Sequence, residues 1–260
     1  ISTALKVSNS ATTATSANTA SAIVARDGSG DFTAGNVTVT TSTVTGNIAM
    51  VNSTSSSLGN ITKGGSRFIH NYGTNNTFAG IDSGNFTLTA ARCSGFGANT
   101  LTSLTSGNDC TAIGYGALDS LTTGIQCTAL GSNALGTIST ASYCTAIGYN
   151  ALANNTVANN TAVGVNSLAA NLTGTDNTAI GVSSLLSNTS GLSNTAVGSG
   201  ALQSNTNGGG STAVGTNALS LSSGNSGNTA IGSNCMQNVI NGNSNTALGS
   251  DCLKGNCANY

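Results

Sequence analysis

Along most of this chain the large apolar residues fall on two positions that return every 17 residues. Phe96, Ile113, Leu130, Ile147, Val163, Ile180, Val197, Val214, Ile231 and Leu248 occupy the first. Leu101, Leu118, Leu135, Leu152, Leu168, Leu185, Leu202, Leu219, Met236 and Leu253 occupy the second. Between them stands a glycine, one residue after the first column and four before the second. It recurs as Gly80, Gly97, Gly114, Gly131, Gly148, Gly164, Gly181, Gly198, Gly215, Gly232 and Gly249, with a single step of 16 between Gly148 and Gly164. A period this short and strict means stacked units, each burying its apolar residues only against its neighbours. The expected fold is all-β: a parallel β-solenoid of about eleven 17-residue coils over 76–260, preceded by a β-rich connector over 1–75.

Alternation assigns faces within each Thr-Ala-Ile-Gly unit, because neighbouring residues of a strand point to opposite sides. Thr and Ile share one side, Ala and Gly the other. With both large columns taken as the interior stripe, a smooth Ala/Gly face points outward, and such a face admits another backbone closely. A coil this thin then predicts association with copies of itself. Eight to ten residues past the glycine, Thr122-Thr123-Gly124, Leu172-Thr173-Gly174, Thr189-Ser190-Gly191 and Thr206-Asn207-Gly208 supply turn chemistry.

The region before the array is less regular. Ser8 to Ala22 is a Ser/Thr/Ala/Asn tract of weak pattern, and residues 1–22 as a whole are β-compatible and free to lie along a neighbouring subunit. Arg26 to Phe32 reads as a tight turn, and Val37, Val39, Val44 and Ile48 among threonines favour strand. Ser53 to Gly65 reads as a loop, with Phe68, Ile69, Tyr72 and Phe78 as an apolar cluster ahead of the first coil.

Composition narrows the function classes. Only 5% of residues are charged, the net charge is −1, and there is no Pro, Trp or Glu. Six scattered Lys and Arg make no phosphate-tracking surface, so no nucleic-acid partner is expected. No apolar run reaches the ~18 residues of a membrane-spanning helix. Asp82, Asp109, Asp119, Asp176 and Asp251 are dispersed, and the lone His70 is far from them in sequence. Without paired carboxylates or a base beside a nucleophile, the chain is not expected to be an enzyme or to carry a cofactor.

One column changes identity along the array. Four residues before the glycine stand Cys93, Cys110, Cys127 and Cys144, then Asn160, Asn177, Asn194, Ser211, Asn228 and Asn245. Cys235 and Cys252 form a second column, three after the glycine. Cysteines one coil apart have α-carbons near the stacking distance, so the expected disulfides are Cys93–Cys110, Cys127–Cys144 and Cys235–Cys252, with Cys257 alone or bonded to another chain. A straight column on one face cannot wrap a tetrahedral ion, so no metal is expected. The asparagines are expected to hydrogen-bond along the axis as an amide ladder. Sequons at Asn36, Asn52, Asn60, Asn85, Asn171 and Asn188 follow from a chain rich in Asn and Thr.

The unit Asn-Thr-Ala-Ile/Val-Gly-X-X-Ala-Leu resembles the head repeats of YadA-type trimeric autotransporter adhesins. It is closer still to the longer Asn-Thr-Ala-Val-Gly repeats of fibre-like proteins of bacteria, phages and large DNA viruses. Ile23 to Gly35 is similar to the connector before such arrays. The resemblance implies a left-handed β-roll, assembled as a homotrimer and displayed on a cell or virion surface, where it binds a host or matrix receptor. Two departures stand out. Those adhesin heads have repeats shorter than 17 residues, and no coiled-coil stalk or anchor barrel follows the array here, which favours a virion fibre or an extracellular filament joined end to end. The rival reading is a monomeric solenoid that binds a repetitive ligand, a glycan or ice. Its surface would be the threonine ladder Thr111, Thr128, Thr145, Thr161, Thr178, Thr195, Thr212, Thr229 and Thr246.

Overall fold

The computed structural model describes residues 52–55, 59–239 and 242–255. The tract 1–22, the connector-like stretch 23–35 with its turn at 26–32, the strands expected over 37–48, and Cys257 lie outside them.

Among the described residues thirteen strands form one sheet in chain order. β1 (Ile61–Lys63) and β2 (Ser66–His70) are an antiparallel hairpin. β2 pairs antiparallel with β3 (Thr77–Ala79), and from there to β13 (Thr246–Leu248) every neighbour is parallel and in register. These eleven parallel strands, β3 to β13, bound ten turns of a β-solenoid, and each has only three residues. The backbone explains the stacking. Thr178 N–H donates to the Asn194 carbonyl of the next coil at 2.8 Å, and Gly198 N–H donates to the Ile180 carbonyl of the preceding one at 2.7 Å.

The facing is the reverse of the sequence expectation. Ala112, Ala129, Ala146, Ala162, Ala179, Ala196, Ala213 and Ala230 are fully buried, while Ile113, Leu130, Ile147, Ile180 and Ile231 stand exposed. The leucine column is buried as expected, from Leu101 to Met236. Space decides this. The coil also turns inward the column four before the glycine, the leucine four after it, and the columns three and seven after it. With those in place, only a methyl group fits on the inner side of the strand.

The leucines also sit in an unusual backbone. Leu118, Leu152, Leu185, Leu202 and Leu219 have φ between 49° and 52°, in the left-handed region. That costs about 1–2 kcal/mol for a residue with a Cβ. Full burial of a leucine side chain is worth about 1.5–3 kcal/mol and offsets it. The turn aims each leucine at the axis.

Two buried columns change together. Beside Cys93, Cys110 and Cys127 the position seven after the glycine holds Leu104, Leu121 and Ile138. Where asparagine replaces cysteine, that position becomes Asn171, Asn188 and Asn205. Asn155 at the border points its Nδ2 at Cys144 Sγ, 3.5 Å away. The expected amide ladder is present: Asn194 Nδ2 donates to Asn177 Oδ1 at 3.1 Å and to the Gly208 carbonyl at 2.8 Å. A second ladder, not anticipated, runs parallel to it. Asn188 Nδ2 donates to Asn171 Oδ1 at 2.8 Å, and Asn205 Nδ2 to Asn188 Oδ1 at 3.0 Å. Two of the sequon asparagines, Asn171 and Asn188, are thereby fully buried.

The second ladder stops at Asn205, whose Oδ1 is buried without a partner. The next coil has Ser222 in that column, and Asn225 reaches into the space from the side, with Nδ2 3.1 Å from Ser222 Oγ and 2.7 Å from the Val239 carbonyl. An unpaired buried acceptor costs about 1–3 kcal/mol.

The hairpin closes the N-terminal end of the parallel stack. Gly64 and Gly65, with φ of 60° and 85°, make its two-residue turn, within the stretch expected to be a loop. The apolar cluster differs from the one expected: Phe68 and Ile69 are exposed, whereas Phe78 is fully buried. His70 lies between Phe78 and Phe86, with ring centroids 4.8 and 4.7 Å away. Its Nδ1 accepts the Tyr72 N–H at 3.3 Å, and its Nε2 is 2.7 Å from the Ser83 carbonyl, which requires the neutral ring with hydrogen on Nε2. Burial, and after it the Arg67 charge, lowers its pKa, against the opposing Ser83 bond. The unfolded chain therefore binds the proton more readily. The hairpin's stability is full above about pH 6.5 and falls as pH drops below it. Amide exchange at Tyr72, corrected for intrinsic rate, is expected to quicken between about pH 7 and 5. His70→Gln is expected to remove that dependence, and equal pH dependence in both proteins would refute the assignment.

Candidate functional site

With alanine inward, threonine and the large apolar residue of each strand point outward together. Thr178 with Ile180, Thr195 with Val197, Thr212 with Val214 and Thr229 with Ile231 repeat down the sheet in parallel register. Ile180 is 41% exposed, and its column runs without interruption from Phe96 to Leu248. Neither column contains a charged residue. At ~4.8 Å per coil, ten strands give a face about 45–50 Å long. Three residues of strand make it about 10 Å wide, so it offers roughly 500 Å². Shared between threonine and the apolar column, it is the size of the largest apolar patch on a typical monomer, a patch that is often functional.

The motif glycines border this face and serve the stack. Gly198 has φ of 135°, and a Cβ on it would stand 2.5 Å from the Gly215 carbonyl oxygen. Beyond the glycine the outward column holds Tyr115, Ser132, Tyr149, Val165 and Val182, then Ser199, Thr216, Ser233 and Ser250.

The expected disulfides are not formed. Cys93, Cys110, Cys127, Cys144, Cys235 and Cys252 are free thiols. The α-carbon spacing suits a bridge, but in-register neighbours hold their Cβ atoms about 4.8 Å apart, beyond the ~3.5–4.5 Å of a disulfide. The thiols instead point at carbonyls: Cys110 Sγ is 3.3 Å from the Asn108 oxygen, and Cys144 Sγ 3.3 Å from that of Val157. Contact with Cys127, and burial with it, pushes the Cys110 and Cys144 thiols up. Cys110 and Cys144, protonated and buried, are packing groups rather than nucleophiles, and the same contacts draw the Cys127 and Cys93 thiols the other way.

The aspartates remain apart. Asp109 pairs with Arg92 at 2.6 and 2.8 Å, Asp251 with Lys254 at 2.9 Å, and Asp82 lies 3.9 Å from Arg67. Among the described residues no group of three or more His, Cys, Asp or Glu is placed to hold a metal, and no helix is long and apolar enough to cross a membrane. Comparison with protein-family models, curated proteins and solved structures returned no match. The assignment of a surface therefore rests on the geometry of this chain.

The outward Thr and Ile/Val face is the surface that sequence reasoning misplaced. A signal for it was present. The Cys/Asn column and the alanine column are two residues apart, so they share a side, and an amide ladder belongs inside. That parity alone sends isoleucine outward.

Proposed function

We propose that this protein is a non-enzymatic structural rod that self-associates, as a homotrimer on the resemblance of its repeats, in a fibre or adhesin displayed on a virion or cell surface or in an extracellular filament. The observation that carries it is the unbroken, uncharged apolar column on a regular sheet face. Two such faces together cover about 1,000 Å², the size at which specific interfaces begin. The best complement to a stripe with this period is a stripe with the same period, so the occupant is a second copy of the chain. The smooth alanine face is no longer the contact. Internal amide and backbone ladders make each coil stiffen the next, as a load-bearing spacer requires.

A second reading draws on the same inversion. The threonine ladder stands beside the apolar column, and a single chain offers that regular array to a repetitive ligand, a glycan or ice. Negative-stain images of the intact protein separate the classes. Straight particles wider than one coil, alone or end to end, are expected, and thin single-chain particles would favour the second reading.

A further inference from the structure

We propose that Tyr115 and Tyr149, with the amides of Asn133 and Asn150, form a binding site for a neutral oligosaccharide. Both tyrosines follow a motif glycine and stand past the kink it makes, at the border of the sheet face rather than in its Thr and Ile/Val columns. They are 60% and 51% exposed, a large apolar area to leave in water. Two coils separate them, about 10 Å, with the small Ser132 on the coil between. Rings on adjacent coils would stack on one another. Rings two coils apart leave a shallow floor between them, and each can meet a separate sugar ring of one chain. The aliphatic faces of pyranoses pack on aromatic rings, which carry apolar area with a polar tip.

The polar groups that orient a sugar are at hand. Asn133 and Asn150 are one residue beyond the floor and the second ring, in the left-handed turn at φ 56° and 54°. Their amides form a row, with Asn133 Nδ2 3.4 Å from Asn150 Oδ1, and Asn133 is exposed. A few placed amides beside aromatic surface is how a site fixes a neutral polar ligand. Charge selects the class. Asp109, on this coil's opposite border, is neutralised by both guanidinium contacts of Arg92, and Asp119, past Leu118 on the same coil, accepts the Ser120 hydroxyl and disfavours an anionic ligand. From Asp109 to Asp251 the chain has no lysine or arginine, so nothing there attracts phosphate, sulfate or uronate.

The site is on a single chain and does not depend on assembly. Its test uses the intact protein with cello- and chito-oligosaccharides, read by saturation-transfer NMR, with native mass measured on the same samples. Transfer onto the sugar ring protons is expected in the parent. Tyr115→Ala/Tyr149→Ala is expected to weaken binding at least about tenfold, while Tyr143→Ala, on the other border, leaves it unchanged. No transfer in the parent, binding retained in the double variant, or equal binding of a sulfated oligosaccharide would overturn the proposal. A single-chain mass in the parent with sugar binding intact would count against the assembly reading alone.

Discussion

Replacing Ile180 and Val197 together with lysine is expected to yield folded single chains in place of the assembly. Both side chains lie on the outward face, Ile180 exposed and Val197 half-buried. Exposed substitutions shift unfolding stability by within about 0.5 kcal/mol, and the two lysines, in register on neighbouring strands, add a like-charge cost of about 0.2–1 kcal/mol, so far-ultraviolet dichroism of each chain should persist with a slightly lower melting midpoint. Where copies meet, lysines of one face oppose lysines of the next, and like charges brought together cost several kcal/mol. The native mass should drop to that of one chain. Ala179 supplies the matching control on the other side of the same strand. Ala179→Ile overfills the interior at a cost of about 1–3 kcal/mol and should lower the melting midpoint of the coil itself. A lysine pair that leaves the mass unchanged would show that the face is not the contact.

Gly198→Ala should damage the fold more than any surface change. The alanine meets two penalties. At φ 135° an L-residue is strained, costing about 1–3 kcal/mol. Its Cβ also drives into the Gly215 carbonyl at 2.5 Å, and that carbonyl belongs to the next rung of the stack. Overpacking of this kind adds about 1–3 kcal/mol, for a total of roughly 4 kcal/mol. Because each coil is held by its neighbours, protection in hydrogen exchange should fall first in the coils of Gly181, Gly198 and Gly215. Uniform protection with an unchanged midpoint would contradict the backbone-contact role of the motif glycine.

How much of this was readable in the sequence depends on which physical rule was asked. The period gave the solenoid, since Gly80 to Gly249 mark where the chain must take a backbone that only glycine tolerates. The buried leucines followed from size and regularity. The facing of alanine did not, because the largest residues were assumed to be inside. A narrow coil inverts that assumption: the inner side of the strand is crowded by Leu185 and Asn188, and isoleucine fits only outside. The second amide ladder was hidden because Asn171, Asn188 and Asn205 share a column with Leu104 and Leu121. Only three-dimensional stacking shows the two columns changing together. The disulfides were inferred from α-carbon spacing, when the Cβ separation of in-register neighbours is the governing distance.

The central claim is that the outward face is occupied by further copies of the chain. Light scattering of the intact protein under native conditions tests it most directly. The account predicts about 76 kDa, three times the 25.2 kDa of one chain, or filaments built from that unit. A stable species of 25.2 kDa at every concentration would contradict it.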